Sequence, residues 1–293
     1  MSRGINRRIA TGFAVGVCGA GGLLGAAIAV AGSTGAQASS KGSIKAVPRS
    51  TAGATRLARA IFEGKLQNLG SARFVTVPPD HDPVAISTKK LDGFPRGAPI
   101  AGGRGKAFAI LSTGCAHLAS HPNNSPDAGC ADSGILYRGA RDVTVLRIRV
   151  NVPKSANCLS FRFRFLSEEY PEFVGSEYND AFLAELDKTN WNAASNTSPT
   201  ITAPNDFAKT VDGKLISVNA TGIAHVSPAN AKGTTYDAAT RVLRASKRVR
   251  PGSHYLYLTI FDQGDRIFDS SVFLDHLTVN SRRPCTSGLA KTL

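Results

Sequence analysis

Two short stretches of this 293-residue chain hold the side chains best able to do chemistry. Residues 161–186 read FRFRFLSEEYPEFVGSEYNDAFLAEL, which crowds Glu168, Glu169, Tyr170, Glu172, Phe173, Glu177, Tyr178 and Asp180 into one loop. Residues 261–275 read FDQGDRIFDSSVFLD and place Asp262, Asp265, Asp269 and Asp275 around a turn that Gly264 lets the chain make. Oxygen ligands offered by short loops at the end of a sheet suit Ca2+. The spacing is not that of an EF-hand, because the glycine and the distal glutamate stand in the wrong places. The same aspartates could instead bond local backbone amides in turns. Two acidic loops that converge repel each other unless something neutralises them. The expectation is therefore that Glu168, Glu169, Asp180, Asp262, Asp265 and Asp269 meet at one end of the fold, sharing Ca2+ or a buried hydrogen-bond network.

Other chemistries find less support. Paired carboxylates can cleave glycosides, and Glu168 or Glu169 with Asp262 or Asp265 are the candidates. No G-x-S-x-G occurs, and Ser176 follows Gly175 without the rest of a nucleophile elbow. Gly102-Gly103-Arg104-Gly105-Lys106 lacks the upstream glycine and the following Ser or Thr of a phosphate loop. Asp80-His81-Asp82 reads as a metal contact or a solvated turn, and His276 beside Asp275 as a packed or paired side chain. Tyr170, Tyr178 and Trp191 could stack on sugar rings or fill the core. The function read from these residues is a secreted, non-catalytic module that binds a cell-wall or matrix glycan or a surface protein. The alternative is a secreted hydrolase acting on wall or matrix polymer.

The elements that must hold these loops are strands. Phe161, Phe163 and Phe165 alternate with Arg162 and Arg164, the pattern of a strand with one buried and one wet face. Alternation also marks 143–152, where Leu146, Ile148, Val150 and Val152 oppose Arg147, Arg149 and Asn151, and 254–261, where Leu256, Leu258 and Ile260 oppose Tyr255, Tyr257 and Thr259. Further strands are predicted over 73–77, 107–111, 181–186, 214–218 and 272–279. One short helix is expected, capped by Thr55, with Leu57 and Ile61 on one face and Gly64 or Gly70 ending it. Many strands and little helix predict an all-β fold, an antiparallel β-sandwich of jelly-roll type.

The ends and the cysteines set the compartment. Arg3, Arg7 and Arg8 precede an apolar run, and Ala36-Gln37-Ala38 reads as a cleavage site, so 1–38 is expected to be a signal peptide. An uncleaved membrane anchor is the alternative, because the run is long enough to span a bilayer. Residues 39–53 are read as a flexible leader, 54–280 as the domain and 281–293 as a tail. Four cysteines remain after cleavage, and an even number in an exported chain predicts disulfides. Cys115–Cys130 and Cys158–Cys285 are the favoured pairs. Cys158 opens a strand and Cys285 follows the last one, so antiparallel neighbours would bring them together. No Cys-x-x-Cys supports zinc. The net charge is +14, with a denser basic group at Arg241, Arg244, Lys247, Arg248 and Arg250. Such a balance favours anionic surfaces, yet no nucleic-acid motif accompanies it. The mature chain is expected outside the cell, off the membrane and without a nucleic-acid partner.

The segments FLSEEYPEFVGSEYNDAFLAEL and LTIFDQGDRIFDSSVFLDHL resemble the two most characteristic blocks of the choice-of-anchor L family of exported bacterial domains. Thr55-Arg56-Leu57-Ala58 resembles its helical opening, and Ala109-Ile110-Leu111-Ser112-Thr113-Gly114 its early LSTG strand and turn. Val249-Arg250-Pro251-Gly252 with Tyr255 is similar to its PG-x-x-Y lead into the penultimate strand. The resemblance implies a β-rich extracellular or surface domain with no established enzymatic activity. The end of the chain, SRRPCTSGLAKTL, differs from the anchors after which the family is named, which reads as free secretion.

Overall fold

A computed structural model describes residues 42–91, 94, 107–124, 130, 133–193, 200–220, 226–264, 266–281 and 284–293. The expected signal peptide at 1–38, the Gly-rich stretch 102–106 and Asp265 lie outside the described residues. In chain order the elements are β1 (Ile44–Ala46), α1 (Thr51–Ile61), β2 (Leu69–Thr76), β3 (Val84–Ser87), β4 (Phe108–Ser112), β5 (Arg141–Val152), β6 (Cys158–Ser167) and β7 (Ala181–Leu186). They continue as β8 (Asn192–Ala193), β9 (Ile201–Thr202), β10 (Ile216–Ser217), β11 (Ala238–Ala239), β12 (Leu243–Arg248), β13 (Gly252–Asp262), β14 (Ser270–Asn280) and β15 (Leu289–Thr292).

Alternating strands bury one face each, and here they do so against one another. The larger sheet runs β1-β3-β4-β14-β6-β12-β15, with β11 also paired to β6. The smaller runs β10-β7-β13-β5-β2, and β8 and β9 form a separate ribbon. The ladders between these strands are antiparallel. Phe161, Phe163 and Phe165 of β6 meet Leu146, Ile148 and Val150 of β5 and Leu256, Leu258 and Ile260 of β13 in one core. Burying each such side chain stabilises by about 1.5–3 kcal/mol. The antiparallel β-sandwich expected from the alternation is therefore what forms.

The wet face expected on β6 is not wet. A second cluster, with Phe94, Phe108, Ile110, Leu166 and Phe273, covers the outer side of the larger sheet. Arg164 is buried there and donates to the carbonyl of Asn230 at 3.0 Å. Arginine tolerates such a place because its long stem packs while its guanidinium finds an acceptor.

The helix starts earlier than Thr55 suggests. Ser50 is the cap, its hydroxyl accepting from the Gly53 amide at 3.3 Å. Thr55 lies inside the helix and donates back to the Thr51 carbonyl at 2.8 Å. Leu57 and Ile61 do share the buried face, and the helix ends at Ile61, before either glycine. Part of the expected leader is ordered, since β1 pairs with β3. Part of the expected tail is too, since β15 pairs with β12.

The disulfides join Cys115 to Cys130 and Cys158 to Cys285, with Cα separations of 5.5 and 5.7 Å. The second follows from register: Cys158 sits opposite Asn280, the last residue of β14, and Cys285 lies a few residues beyond. It joins positions 127 residues apart in sequence. Replacing both cysteines by alanine should cost about 2–5 kcal/mol in urea unfolding. A loss below about 1 kcal/mol would show that the sheets hold this corner without the bridge.

Candidate functional site

Strand register decides which carboxylates meet. Ser167 ends β6 opposite Ser270, the first residue of β14, so the next residue on each chain, Glu168 and Asp269, face each other. The Glu168 amide donates to the Asp269 carbonyl at 3.0 Å, and the Asp269 amide donates to Glu168 Oε2 at 3.1 Å. Thr113 adds a hydroxyl donor to Asp269 Oδ1 at 3.1 Å. The smaller sheet repeats the device. Ala181 opens β7 opposite Phe261 of β13, which sets Asp180 beside Asp262. The Gln263 amide donates to Asp180 Oδ1 at 3.2 Å.

Glu169 links the two ends. Its own amide is held by the Ser167 hydroxyl at 3.0 Å, and its Oε2 accepts from the Asp180 amide at 3.3 Å. One oxygen each from Glu169, Asp180 and Asp262 lies within 4.8 Å of the others. The three side chains are 0, 0 and 2 % exposed. Of the six expected ligands, three therefore converge. Glu168 and Asp269 form a neighbouring pair tied by backbone bonds. Asp265 lies outside the described residues.

The loops above this cluster clasp each other through aromatic rings. Phe173 packs on Phe268 at 4.9 Å and edge-on to Tyr178 at 5.1 Å. Gly264 has φ +116°, and a Cβ there would lie 2.6 Å from Tyr178 Cδ1. Gly114 is tighter still, because a Cβ would fall 1.6 Å from Asp269 Oδ2. The glycines of the LSTG and D-x-G-D motifs are thus the positions where the backbone must approach the site.

A family model for the choice-of-anchor L domain matches residues 107–280, more than half of the chain and all of the strands that build this site. The chain belongs to the choice-of-anchor L family. No curated protein and no solved structure matches it. The family implies a surface-associated, non-enzymatic module. The match begins after α1, so the likeness of Thr55-Arg56-Leu57-Ala58 to a family opening stands outside the matched span. Among the described residues no helix is long and apolar enough to cross a membrane.

The structure also decides between the readings open for other residues of this choice-of-anchor L domain. Trp191 is not an exposed sugar platform: it is 1 % exposed and stacks on Phe261 at 4.6 Å. Tyr170 and Tyr178 are half-buried. His81 is buried against Asp80 at 3.1 Å, while Asp80 and Asp82 are exposed, and the triplet is not part of the carboxylate cluster. His276 pairs with Glu63. Tyr236 went unnoticed, although its hydroxyl bonds to Ser112 and Ser271 deep under the acidic loops. Burial, and then the charge of Glu168, push its pKa well above the ordinary tyrosine value.

A second buried acid pair was also missed. Glu185 of β7 bridges to Asp206, and both are buried. Asp206 Oδ1 accepts from the amides of Ala184 and Ala208 at 2.8 and 3.0 Å. Burial raises the Asp206 pKa from 3.8 to about 7, with the Glu185 charge a lesser contributor in the same direction, and burial also raises Glu185. A raised folded-state pKa means the folded state holds its proton longer than the unfolded one. That stability is full below the unfolded value and is lost as pH climbs through about 7. Asp206→Asn keeps the oxygen acceptor and removes the charge. Thermal melts between pH 4 and 8 should show a falling profile in the parent and a flatter one in the variant. Identical profiles would mean that Asp206 does not control this dependence. Gly114→Ala should separately cost about 1–3 kcal/mol through overpacking against Asp269, read from urea unfolding.

Proposed function

We propose that this protein is a secreted, non-catalytic binding module that engages a wall or matrix glycan or a surface protein. In this reading a Ca2+ held by Glu169, Asp180 and Asp262 stabilises its loop end. The observation that carries the reading is the convergence of three buried carboxylate oxygens within 4.8 Å, two from the β6–β7 loop and one from the end of β13. Hard oxygen donors from loops are the ligand set Ca2+ takes, completed by carbonyls and water. Geometry also favours an ion over a substrate. A glycosidase pair must receive a sugar ring from solvent, whereas these three side chains are at most 2 % exposed. The aromatic clasp of Phe173, Phe268 and Tyr178 lies on the same loops, so the ion would stiffen the surface they present.

The test is the melting temperature of the mature protein in EDTA and in millimolar Ca2+. A site filled a hundredfold above its dissociation constant adds about 2.7 kcal/mol, or roughly 5–10 °C for a domain of this size. Glu169→Gln should fold with unchanged circular dichroism and lose the rise. A parent protein that melts at the same temperature in both buffers would refute the ion and leave the carboxylates as a proton-sharing network.

A further inference from the structure

The outer side of the larger sheet carries a cleft of about 720 Å³, within the size range of small-molecule sites. Its rim is basic. Lys89 and Lys90 follow β3, and Lys232 follows the single turn Pro228–Ala231, so two segments far apart in sequence bring three exposed ammonium groups to one opening. His121 adds an exposed imidazole. One acid stands against this charge: Asp237 lines the cleft and accepts from the Asn123 amide, which leaves three lysines to one carboxylate in the described lining.

The rest of the lining is suited to a sugar. Pro122 and Pro228 offer flat C–H faces, and Ser120 offers a hydroxyl beside them. The floor is Tyr236, 3 % exposed, its hydroxyl committed to Ser112 and Ser271. A single-stranded nucleic acid would need exposed aromatic platforms for its bases, and among the described residues this buried ring is the one aromatic of the lining besides His121.

We propose that this cleft binds an acidic oligosaccharide, with carboxylate or sulfate groups on Lys89, Lys90 and Lys232 and ring faces on Pro122 and Pro228. The inference rests on the binding-module reading above and names its ligand class. It does not depend on the ion, because none of the three carboxylates lines the cleft.

The experiment is calorimetric titration of the full mature chain, in Ca2+ and 150 mM NaCl, with four probes. They are a hyaluronate hexasaccharide, a sulfated hexasaccharide, neutral chitohexaose and a single-stranded RNA of matched charge. At least one acidic sugar should bind, chitohexaose should not, and the affinity should fall as salt is raised. The double variant Lys89→Ala, Lys232→Ala should bind about tenfold more weakly or worse, because it removes two charge-assisted contacts. Both lysines are exposed, so the variant should keep its melting temperature and its response to Ca2+. Failure of both acidic sugars to bind, unchanged affinity in the variant, or equal binding of the RNA would each overturn the proposal. A chain that binds acidic sugar yet ignores Ca2+ would refute the ion alone.

Discussion

The structure depends on how it neutralises like charges brought together at one end. Three carboxylates with oxygens inside 4.8 Å repel by about 3 kcal/mol or more per pair at an effective dielectric near 20. Summed over three pairs, that rivals the 5–15 kcal/mol that typically separates a folded domain from its unfolded chain. Such a cluster persists only where protons, donors or a cation offset the charge. The amides of Gln263 and Asp180 are part of that compensation, each aimed at a carboxylate oxygen. Glu169 belongs to the loop leaving the larger sheet, while Asp180 and Asp262 flank the ladder of the smaller one. Whatever neutralises the three therefore ties the two sheets together.

A buried polar chain continues beneath this point. Thr113 reaches Asp269, Ser112 reaches the Ser270 carbonyl, and Tyr236 bonds to Ser112 and Ser271. Each group is largely shut from water, where an unmade hydrogen bond would cost more than a made one returns. The β4–β14 junction is thus specified by partners as well as by apolar packing. The basic cleft, whose floor is the Tyr236 ring, sits directly on this chain.

Much of the fold was legible because alternation is a local property. The strand read over 181–186 is β7 as it stands, and the strands read within β5, β6, β13 and β14 differ only at their ends. Short or polar strands carried too little pattern. The three residues of β1 and the four of β3 are below any window, and β12, reading LRASKR, looked like a basic patch. The acidic loops were legible as a site, but their partition was not. Which carboxylates meet follows from two register pairs, Ser167 with Ser270 and Ala181 with Phe261, and register is a tertiary fact. Trp191 shows the same limit, since its exposure depended on a loop folding over the smaller sheet. Glu185 left one unused signal, a charge inside the otherwise apolar AFLAEL.

The rims of the two sheets constrain how anything can dock. At one rim of the smaller sheet, β2 breaks register with β5 twice, between Leu69 and Ala72 and between Phe74 and Thr76. The opposite rim is β10, only two residues long, and the larger sheet ends in β1 and β15, of three and four residues. Short, bulged borders offer a poor template for a visiting strand. Among the described residues, recognition by strand addition is therefore disfavoured, as is uncontrolled stacking of one copy's border on another's. A partner of this module must be met by side chains and loops, which can be exchanged in evolution without disturbing a single ladder of the sandwich.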